Sequence, residues 1–290
     1  MMEGLRQRAV DAAFALAWTL VRRLPERTVT WLFRQAADRT VRRNGRGVRR
    51  LRGNLAVVRP DATEVELDAL VQAGMRSYLR YWQETFRLPE WSDEEIVNSV
   101  RTVNEKLLRD AHAAGRGVIC ALPHLANYDH AGAWAGLTGM PVSTVAERLQ
   151  PESLFDRFIE YRKKLGMEVL PLTGGDDDVT AVLADRLRAG GFVCLVADRD
   201  LSERGVPVTF FGRPSRMPVG PAALSLKTGA PLIPATLHYD GPDLVITFHD
   251  AIEPDGGAAA MTQRCADAFA VGIAAHPQDW HMLQRIFLQG

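Results

Sequence analysis

The sequence predicts an α/β protein in which a central, largely parallel β-sheet is flanked by helices and preceded by an N-terminal amphipathic helical segment. From Gly117 onward, short apolar runs alternate with amphipathic stretches, an order typical of parallel sheets covered by helices. Before residue 60, basic and apolar side chains are concentrated in helix-like patterns. We therefore divide the chain into a basic segment, residues 1–60, and an α/β domain, residues 61–290.

The composition is that of an ordinary globular protein. The 290 residues include 35 basic and 35 acidic side chains, and 47% of the residues are hydrophobic, which argues against disordered, collagen-like and repeat proteins. Three widely spaced cysteines suggest no disulfide framework. No cluster of His, Cys and carboxylate side chains has the spacing of metal ligands, so we expect neither a metal nor a cofactor.

The N-terminal segment is basic and locally apolar. Residues 1–60 carry a net charge of +10, and the remainder of the chain carries −10. The run AAFALAWTLV (Ala12–Val21) is too short to span a bilayer, which needs about 20 residues, and it lacks a signal-peptide cleavage pattern. Its apolar face, followed by the aromatic Trp31 and Phe33, is typical of an interfacial helix on an anionic membrane.

This segment leaves an alternative open, because a core helix packed on the α/β domain has the same pattern. Nucleic acid is a weaker candidate partner, since the arginines surround apolar helix instead of interleaving with exposed aromatic side chains. We therefore expect a protein that stays in the cytoplasm, peripheral to the inner face of the cytoplasmic membrane. The sequence does not indicate an oligomeric state.

The elements of the α/β domain follow from hydrophobic periodicity. A helix is predicted from about Asp61 to Phe86, because Pro60 and Asp61 are start signals and apolar residues recur at helical intervals. Strands are predicted at GVICAL, GMEVLPL, FVCLVA, APLIPATL and DLVITF, and helices at 127–138, 151–165, 177–189, 220–228 and 260–275. In such a sheet, functional groups are expected at the carboxyl ends of strands.

Several common catalytic motifs are missing from the sequence. It contains no G-x-S-x-G elbow, P-loop, G-x-G-x-x-G after a strand or H-E-x-x-H, which disfavours serine hydrolases, P-loop and dinucleotide enzymes, and zincins. The stretch GVICALPHLANYDHAGAW instead places His124 just beyond a predicted strand and Asp129 in the first turn of the next helix. A turn there can bring the carboxylate to the imidazole and fix its tautomer.

A histidine held in this way can act as a general base. It can remove the proton of a hydroxyl that attacks an acyl thioester, which contributes about 10²–10⁴ in rate without a protein nucleophile. The spacing alone is a short pattern, and it fits equally a hydrogen-bonded loop histidine followed by a helix N-terminal charge.

The wider sequence resembles the glycerolipid and lipid A late acyltransferases. HLANYD is similar to their H-x-x-x-x-D signature, and three further blocks follow in the same order: ERLQPESLFDRFIEYRKKLGMEVLPL, the stretch from FVCLVADRDLS to APLIPAT, and HPQDWHMLQRIF. The resemblance covers about residues 50–290 and implies a glycerolipid-acyltransferase-like fold. Within the family, ADRDLS is most similar to phosphatidylinositol mannoside acyltransferases, which transfer an acyl group from acyl-CoA to a mannose hydroxyl of the glycolipid.

The resemblance implies roles for residues across the chain. It implies His124 as general base and Asp129 as its orienting partner. Positions after predicted strands suggest a substrate-binding rim, because Glu147 and Arg148 follow PVSTVA and Asp198 and Asp200 follow FVCLVA. Arg148 and Arg162 suit a phosphate of the head group or of CoA. Asp198 suits either the acceptor sugar or a supporting role behind a catalytic side chain. Arg148 and Arg162 are equally consistent with surface ion pairs on a helix.

An acyl chain also needs an apolar slot. Phe210 and Phe211 in VTFFG, together with Trp134, are candidates for its wall, although buried aromatic side chains most often belong to the core. The function expected from these observations is acyl transfer from acyl-CoA, the co-substrate, to a glycolipid hydroxyl. The alternatives are transfer to a lysophospholipid, saccharolipid or aminolipid, and hydrolysis of the thioester by an activated water.

Overall fold

A seven-stranded sheet forms the centre of the structure, a computed structural model that describes residues 21–146, 152–171, 178–200 and 205–288. The helices are α1 (Glu26–Arg43), α2 (Arg46–Val58), α3 (Glu64–Arg87), α4 (Asp93–Asn98), α5 (Glu105–Ala113), α6 (Tyr128–Leu137), α7 (Glu152–Lys164), α8 (Val179–Arg188), α9 (Gly220–Thr228) and α10 (Gly257–Ala275). The strands are β1 (Val100–Val103), β2 (Val118–Leu122), β3 (Val142–Ala146), β4 (Glu168–Pro171), β5 (Phe192–Val196), β6 (Val206–Phe210), β7 (Arg213–Met217), β8 (Leu232–Asp240) and β9 (Asp243–Phe248).

The sheet is mostly parallel, as the sequence predicts. Its strand order is β1-β9-β8-β2-β5-β3-β4. The strands β8, β2, β5, β3 and β4 run in one direction, and the hairpin between β8 and β9 turns β9 and its parallel neighbour β1 the other way. Parallel strands buried on both faces read as continuous apolar runs, and every residue of β2 is buried.

The register of β2 and β5 determines where the site forms. Cys120 pairs with Cys194, and Leu122, the last residue of β2, pairs with Val196, the last residue of β5. Residues that lie two positions beyond these ends are therefore neighbours at the carboxyl edge of the sheet. His124 and Asp198 are the two residues in question.

The long helix α3 begins with a capping box. The Thr63 hydroxyl accepts a hydrogen bond from the Glu66 backbone N–H, and the Glu66 carboxylate accepts one from the backbone N–H of Thr63. Such caps satisfy backbone donors that a helix start leaves without intrahelical partners. This helix matches the one predicted from about Asp61 to Phe86.

The described part of the N-terminal segment packs on α3. Ala37 of α1, Leu51 and Leu55 of α2, and Val71 and Met75 of α3 share one buried cluster. The two predicted units, 1–60 and 61–290, thus have a common core where the structure describes them, and their boundary stays a prediction.

The apolar run Ala12–Val21 lies outside the described residues except for Val21. Further along, Trp31 and Leu32 on α1 are 60% and 42% exposed, whereas Phe33 packs against Phe86 with ring centroids 6.3 Å apart. No helix within the described ranges combines the length and apolar content that crossing a membrane requires.

Two parts of the fold were not predicted. The elements α4, β1 and α5 precede the first predicted strand, and β6 and β7 form a separate antiparallel hairpin. Phe210 pairs with Arg213 across a two-residue turn in which Phe211 and Gly212 both have positive φ, 50° and 69°. This is the backbone pattern of a type I′ hairpin turn.

Candidate active site

The turn after β2 carries His124. Pro123 follows the last strand residue, Ala126 has a positive φ of 45°, and the Asn127 side chain accepts a hydrogen bond from the backbone N–H of His130, which caps α6. A positive φ is strained for alanine, so contacts elsewhere must hold this turn in place.

The C-terminal loop supplies those contacts. The backbone N–H of Ala126 donates to the carbonyl of Asp279 at 2.9 Å, and the backbone N–H of His281 donates to the carbonyl of His124 at 2.9 Å. Leu125 and Trp280 form an isolated antiparallel bridge between these two bonds. The loop therefore fixes the backbone from His124 to Ala126.

Asp198 is the carboxylate that contacts His124. Its Oδ1 lies 2.5 Å from His124 Nδ1, and its Oδ2 accepts hydrogen bonds from the His124 backbone N–H at 3.0 Å and from Trp280 Nε1 at 2.9 Å. Asp198 is fully buried, while the His124 side chain is 24% exposed. The arrangement fixes the imidazole with Nδ1 towards the carboxylate, which leaves Nε2 for chemistry.

The charge on Asp198 is stabilised despite its burial. Burial by itself raises the pKa of a carboxyl, but here the nearby His124 and the hydrogen bonds from the His124 ring, from Trp280 and from the His124 backbone lower the pKa of Asp198 below its usual value. An ionised carboxylate at this position can stabilise the positive charge of an imidazolium that forms during a reaction. The pair can thus accept a proton at Nε2 and release it again.

Asp129 does not contact His124 in the way the sequence predicts. Its Oδ1 accepts a hydrogen bond from Arg162 Nε at 2.7 Å, and its Oδ2 accepts one from the Tyr81 hydroxyl at 3.1 Å. The pinned turn points the first residues of α6 towards α3 and α7, so the carboxylate joins these helices. The prediction that Asp129 orients His124 is therefore corrected, because Asp198 occupies that position.

Arg162 lies in the cavity wall, with its guanidinium 5.9 Å from the centroid of the Tyr128 ring. Arg162 Nε donates to the buried Asp129, so Arg162 forms a buried ion pair and not a surface one. Burial lowers the pKa of Arg162, but attraction by Asp129, Tyr128 and Tyr81 and the hydrogen bond to Asp129 together raise that pKa above its usual value. The Tyr81 hydroxyl oxygen also lies 3.0 Å from the Tyr128 hydroxyl oxygen.

A large cavity adjoins His124. It has a volume of about 1290 Å³ and is lined by polar residues that include His124, Arg162 and Asp200. Its apolar lining includes Leu108, Leu122, Trp134, Phe192 and Phe248. Trp134 thus lies where the sequence suggests an apolar slot, next to a polar region that holds the His124–Asp198 pair.

Phe210 and Phe211 do not line this cavity. Phe210 is 1% exposed and packs against Phe211, Trp280 and Phe287, with ring centroids 4.7, 5.9 and 6.1 Å away. Their assignment to the wall of an acyl slot is corrected, because the hairpin directs both rings onto the C-terminal loop. There they pack against Trp280, whose Nε1 donates to Asp198.

The remaining predicted rim residues have different outcomes. Asp200 lies in the cavity wall and accepts a hydrogen bond from the Gly205 backbone N–H at 2.7 Å. Glu147 and Arg148 lie outside the described residues. Within the described ranges, no group of three or more His, Cys, Asp or Glu side chains is arranged to hold a metal ion, and the absence of a metal from the reaction stays a prediction.

Sequence reasoning missed the polar side chains behind the histidine. Ser77 of α3, Asp279 and His281 form a hydrogen-bonded group next to the His124 backbone. The one available signal was the C-terminal block HPQDWHMLQRIF, whose resemblance to the family's tryptophan motif pointed to this loop without assigning roles within it.

Comparison with known proteins agrees with this architecture. Residues 5–289 match the family model described as bacterial lipid A biosynthesis acyltransferase. The chain is 47% identical over 279 residues to a phosphatidylinositol mannoside acyltransferase of Mycobacterium tuberculosis (strain CDC 1551 / Oshkosh), spanning 95% of this chain and 88% of the relative. It is 45% identical over 276 residues to a phosphatidylinositol mannoside acyltransferase of Mycolicibacterium smegmatis, spanning 94% and 90%.

The family match and these relatives identify this α/β protein, with its histidine–carboxylate pair beside a large, mainly apolar cavity, as an acyltransferase. The chain belongs to the bacterial lipid A biosynthesis acyltransferase family.

Proposed function

We propose that this enzyme transfers a fatty acyl group from acyl-CoA to a mannose hydroxyl of a phosphatidylinositol mannoside. The observation that carries the proposal is the 2.5 Å contact between His124 Nδ1 and Asp198 Oδ1 beside the cavity. The names of the curated relatives supply the acceptor. The donor follows from the chemistry, because a thioester is an acyl compound that an activated hydroxyl attacks readily.

In this mechanism His124 acts as general base through Nε2. The proton of the acceptor hydroxyl moves to Nε2 while the hydroxyl oxygen bonds to the thioester carbonyl carbon. The tetrahedral intermediate then collapses, the C–S bond breaks, and the leaving thiolate takes the proton from Nε2. The products are an ester and CoA, and no covalent bond to the protein forms. Asp198 stabilises the imidazolium that exists between the two proton transfers.

The cavity supports a long-chain donor. Its apolar lining, with Leu108, Trp134 and Phe248, suits a hydrocarbon chain, and burying such a chain contributes about 0.8 kcal/mol per methylene group. Arg162 and Asp200 supply polar groups on the same wall. We assign Arg162 to a phosphate of the head group or of CoA and Asp200 to the acceptor, with Glu147 and Arg148 as further rim candidates.

We also propose a peripheral position on the inner face of the cytoplasmic membrane. A lipid acceptor is presented at a bilayer surface, residues 1–60 carry a net charge of +10, and Trp31 and Leu32 on α1 expose apolar surface. Basic and aromatic groups together favour binding to anionic lipid. Sedimentation with vesicles should therefore show binding to phosphatidylinositol-containing vesicles at low salt and weaker binding to neutral ones; equal partition to both would contradict this position.

Thioester hydrolysis is the alternative function. Water is a smaller nucleophile that His124 can activate in the same way, so slow release of free fatty acid is expected beside transfer. A different lipid acceptor is the other alternative. Product analysis separates all three, because each predicts a different labelled product.

The test uses the full-length purified protein, radiolabelled palmitoyl-CoA and separate acceptors: phosphatidylinositol mannoside, lysophospholipid, saccharolipid and aminolipid. We expect labelled mannoside that disappears in His124→Ala and persists in His112→Ala, a control on the surface helix α5. Labelled fatty acid alone would identify a hydrolase. Preferential labelling of another lipid would identify that lipid as the acceptor. Undiminished transfer by His124→Ala would exclude His124 as the base.

A further inference from the structure

His281 lines the catalytic cavity, although the mechanism above does not use its side chain. Its backbone N–H donates to the carbonyl of His124, and its ring packs near the rings of Tyr78 and Tyr81, at centroid distances of 5.6 and 6.0 Å. The residue is 9% exposed. It therefore presents a small polar surface to the cavity from an otherwise aromatic wall.

Two neighbours determine which ring nitrogen carries the proton. Asp279 Oδ2 accepts a hydrogen bond from the Tyr239 backbone N–H at 3.0 Å, and Oδ1 accepts one from the Ser77 hydroxyl at 2.7 Å. Because the only hydrogen of the Ser77 hydroxyl points to the carboxylate, Ser77 Oγ must act as acceptor towards His281 Nε2, which lies 2.9 Å away. His281 Nε2 therefore carries the proton, and Nδ1 has a lone pair.

This lone pair is accessible. Among the described residues, no side chain or backbone group donates a hydrogen bond to His281 Nδ1. The fully enclosed side-chain atoms without a partner belong to other described residues, so Nδ1 is not fully enclosed. The ring also stays neutral, because burial and the nearby His124 lower the pKa of His281 to about 3. A neutral imidazole in this tautomer offers the cavity an acceptor and no donor.

We propose that His281 is an acceptor-binding residue, in which Ser77 and Asp279 hold the imidazole so that Nδ1 accepts a hydrogen bond from a hydroxyl of the polyhydroxylated lipid head group. This subsite rests on the proposed acyl transfer and adds a determinant of acceptor choice. A hydroxyl can donate to Nδ1, whereas an ionised phosphate oxygen cannot. The subsite therefore selects a sugar-like surface of the acceptor next to His124.

The tautomer can be tested without any activity. Long-range ¹H–¹⁵N spectra of the full-length, histidine-labelled protein at pH 7 should show His281 protonated at Nε2 only, with its signals identified by their loss in His281→Gln. Ser77→Ala removes the hydroxyl that fixes this choice and should give a mixture of tautomers. A proton on Nδ1, or an imidazolium, in the wild-type protein would overturn the proposal.

The acceptor contact is tested by a pair of substitutions. In His281→Gln the amide reaches the position of Nε2 and can still donate to Ser77, but nothing replaces Nδ1. In His281→Asn a polar atom lies near Nδ1 and the bond to Ser77 is lost. A neutral hydrogen bond has a modest net strength, so we expect His281→Gln to raise the KM for the mannoside about fivefold to tenfold, which corresponds to about 1–1.4 kcal/mol.

His281→Asn should raise the same KM about twofold, and the KM for palmitoyl-CoA should change less than twofold in both variants. His249→Gln is the matched control, because His249 Nε2 also lies 2.9 Å from a hydroxyl, that of Thr236, and His249 does not line the cavity. An unchanged mannoside KM in His281→Gln would refute the subsite. Absence of transfer in the wild-type protein would instead refute the proposed function, and the tautomer experiment would still decide the local assignment.

Discussion

At the residue scale, the two aspartates near His124 have separable roles. Asp198 contacts His124 Nδ1 directly, whereas Asp129 is bound to Arg162 and Tyr81. Asp198→Asn removes the charge that stabilises the imidazolium and permits the wrong tautomer. We expect it to lower kcat for acyl transfer by about 10²–10⁴-fold, measured at saturating acyl-CoA and acceptor.

Asp129→Asn is the matched substitution for this prediction. It leaves the His124–Asp198 pair intact and weakens a buried ion pair, so its main effect should be on stability, because breaking such pairs costs about 3–5 kcal/mol. Thermal unfolding of both variants separates the two effects. If kcat fell further in Asp129→Asn than in Asp198→Asn, with folding intact, Asp129 would be the functional partner after all.

At the element scale, close packing of α10 on β8 positions the loop that carries Trp280 and His281. A Cβ atom built on Gly272 of α10 would lie 2.5 Å from Cβ of Thr236 on β8. A rotamer change cannot move a Cβ atom, so the helix must shift. Gly272→Ala should therefore lower the free energy of unfolding by about 1–3 kcal/mol, even though alanine favours helix by about 1 kcal/mol.

The control for this packing prediction is Gly53→Ala on α2. Gly53 is exposed and a Cβ atom there meets nothing within 4 Å, so this substitution should be neutral or stabilising by up to about 1 kcal/mol. Urea unfolding at pH 7 measures both. Equal stabilisation by the two substitutions would mean that α10 and β8 separate easily.

The same scale shows what the sequence could predict. The predicted helix at Asp61–Phe86 and the strands at FVCLVA and DLVITF are present because their periodicity reflects burial of one face or both. The strand β1 was missed, since half of its four residues are exposed and its apolar signal is short. VTFFG was assigned to an apolar slot because buried aromatic residues look alike in sequence, whether they face a cavity or the core.

The part of the site that depends on neighbouring residues in the sequence was predicted. The stretch GVICALPH shows that His124 follows the end of a strand. The partner of His124 was not predicted, because Asp198 lies 74 residues away and Trp280 is 82 residues beyond Asp198. The spacing of His124 and Asp129 suggested a contact, but the direction of α6 depends on backbone bonds from Asp279 and His281, which no local pattern encodes.

At the scale of the whole molecule, the buried histidine makes stability depend on pH. His281 faces Ser77, Asp279 and the rings of Tyr78 and Tyr81, and burial together with His124 lowers its pKa to about 3, against about 6.5 for an unfolded chain. Between about pH 3 and pH 6.5 the unfolded chain therefore binds more protons at this residue. The contribution of His281 to the free energy of unfolding is therefore complete above about pH 6.5 and decreases as the pH falls below that value.

The size of this effect follows from the proton difference. One group contributes at most about 1.4 kcal/mol per pH unit, so His281 should account for up to about 2 kcal/mol between pH 6.5 and pH 5. Burial also lowers the pKa of His130, which adds a loss of the same sign in both the wild type and a His281 variant. The difference between the two proteins therefore isolates His281.

Urea unfolding of the wild type and of His281→Gln at pH 7.5 and pH 5 tests this linkage. The wild type should lose up to about 2 kcal/mol more than the variant over this range, because glutamine takes up no proton on unfolding. Parallel losses would mean that His281 is protonated in the folded protein. The ring would then present a donor to the cavity, and the acceptor subsite would lose its chemical basis.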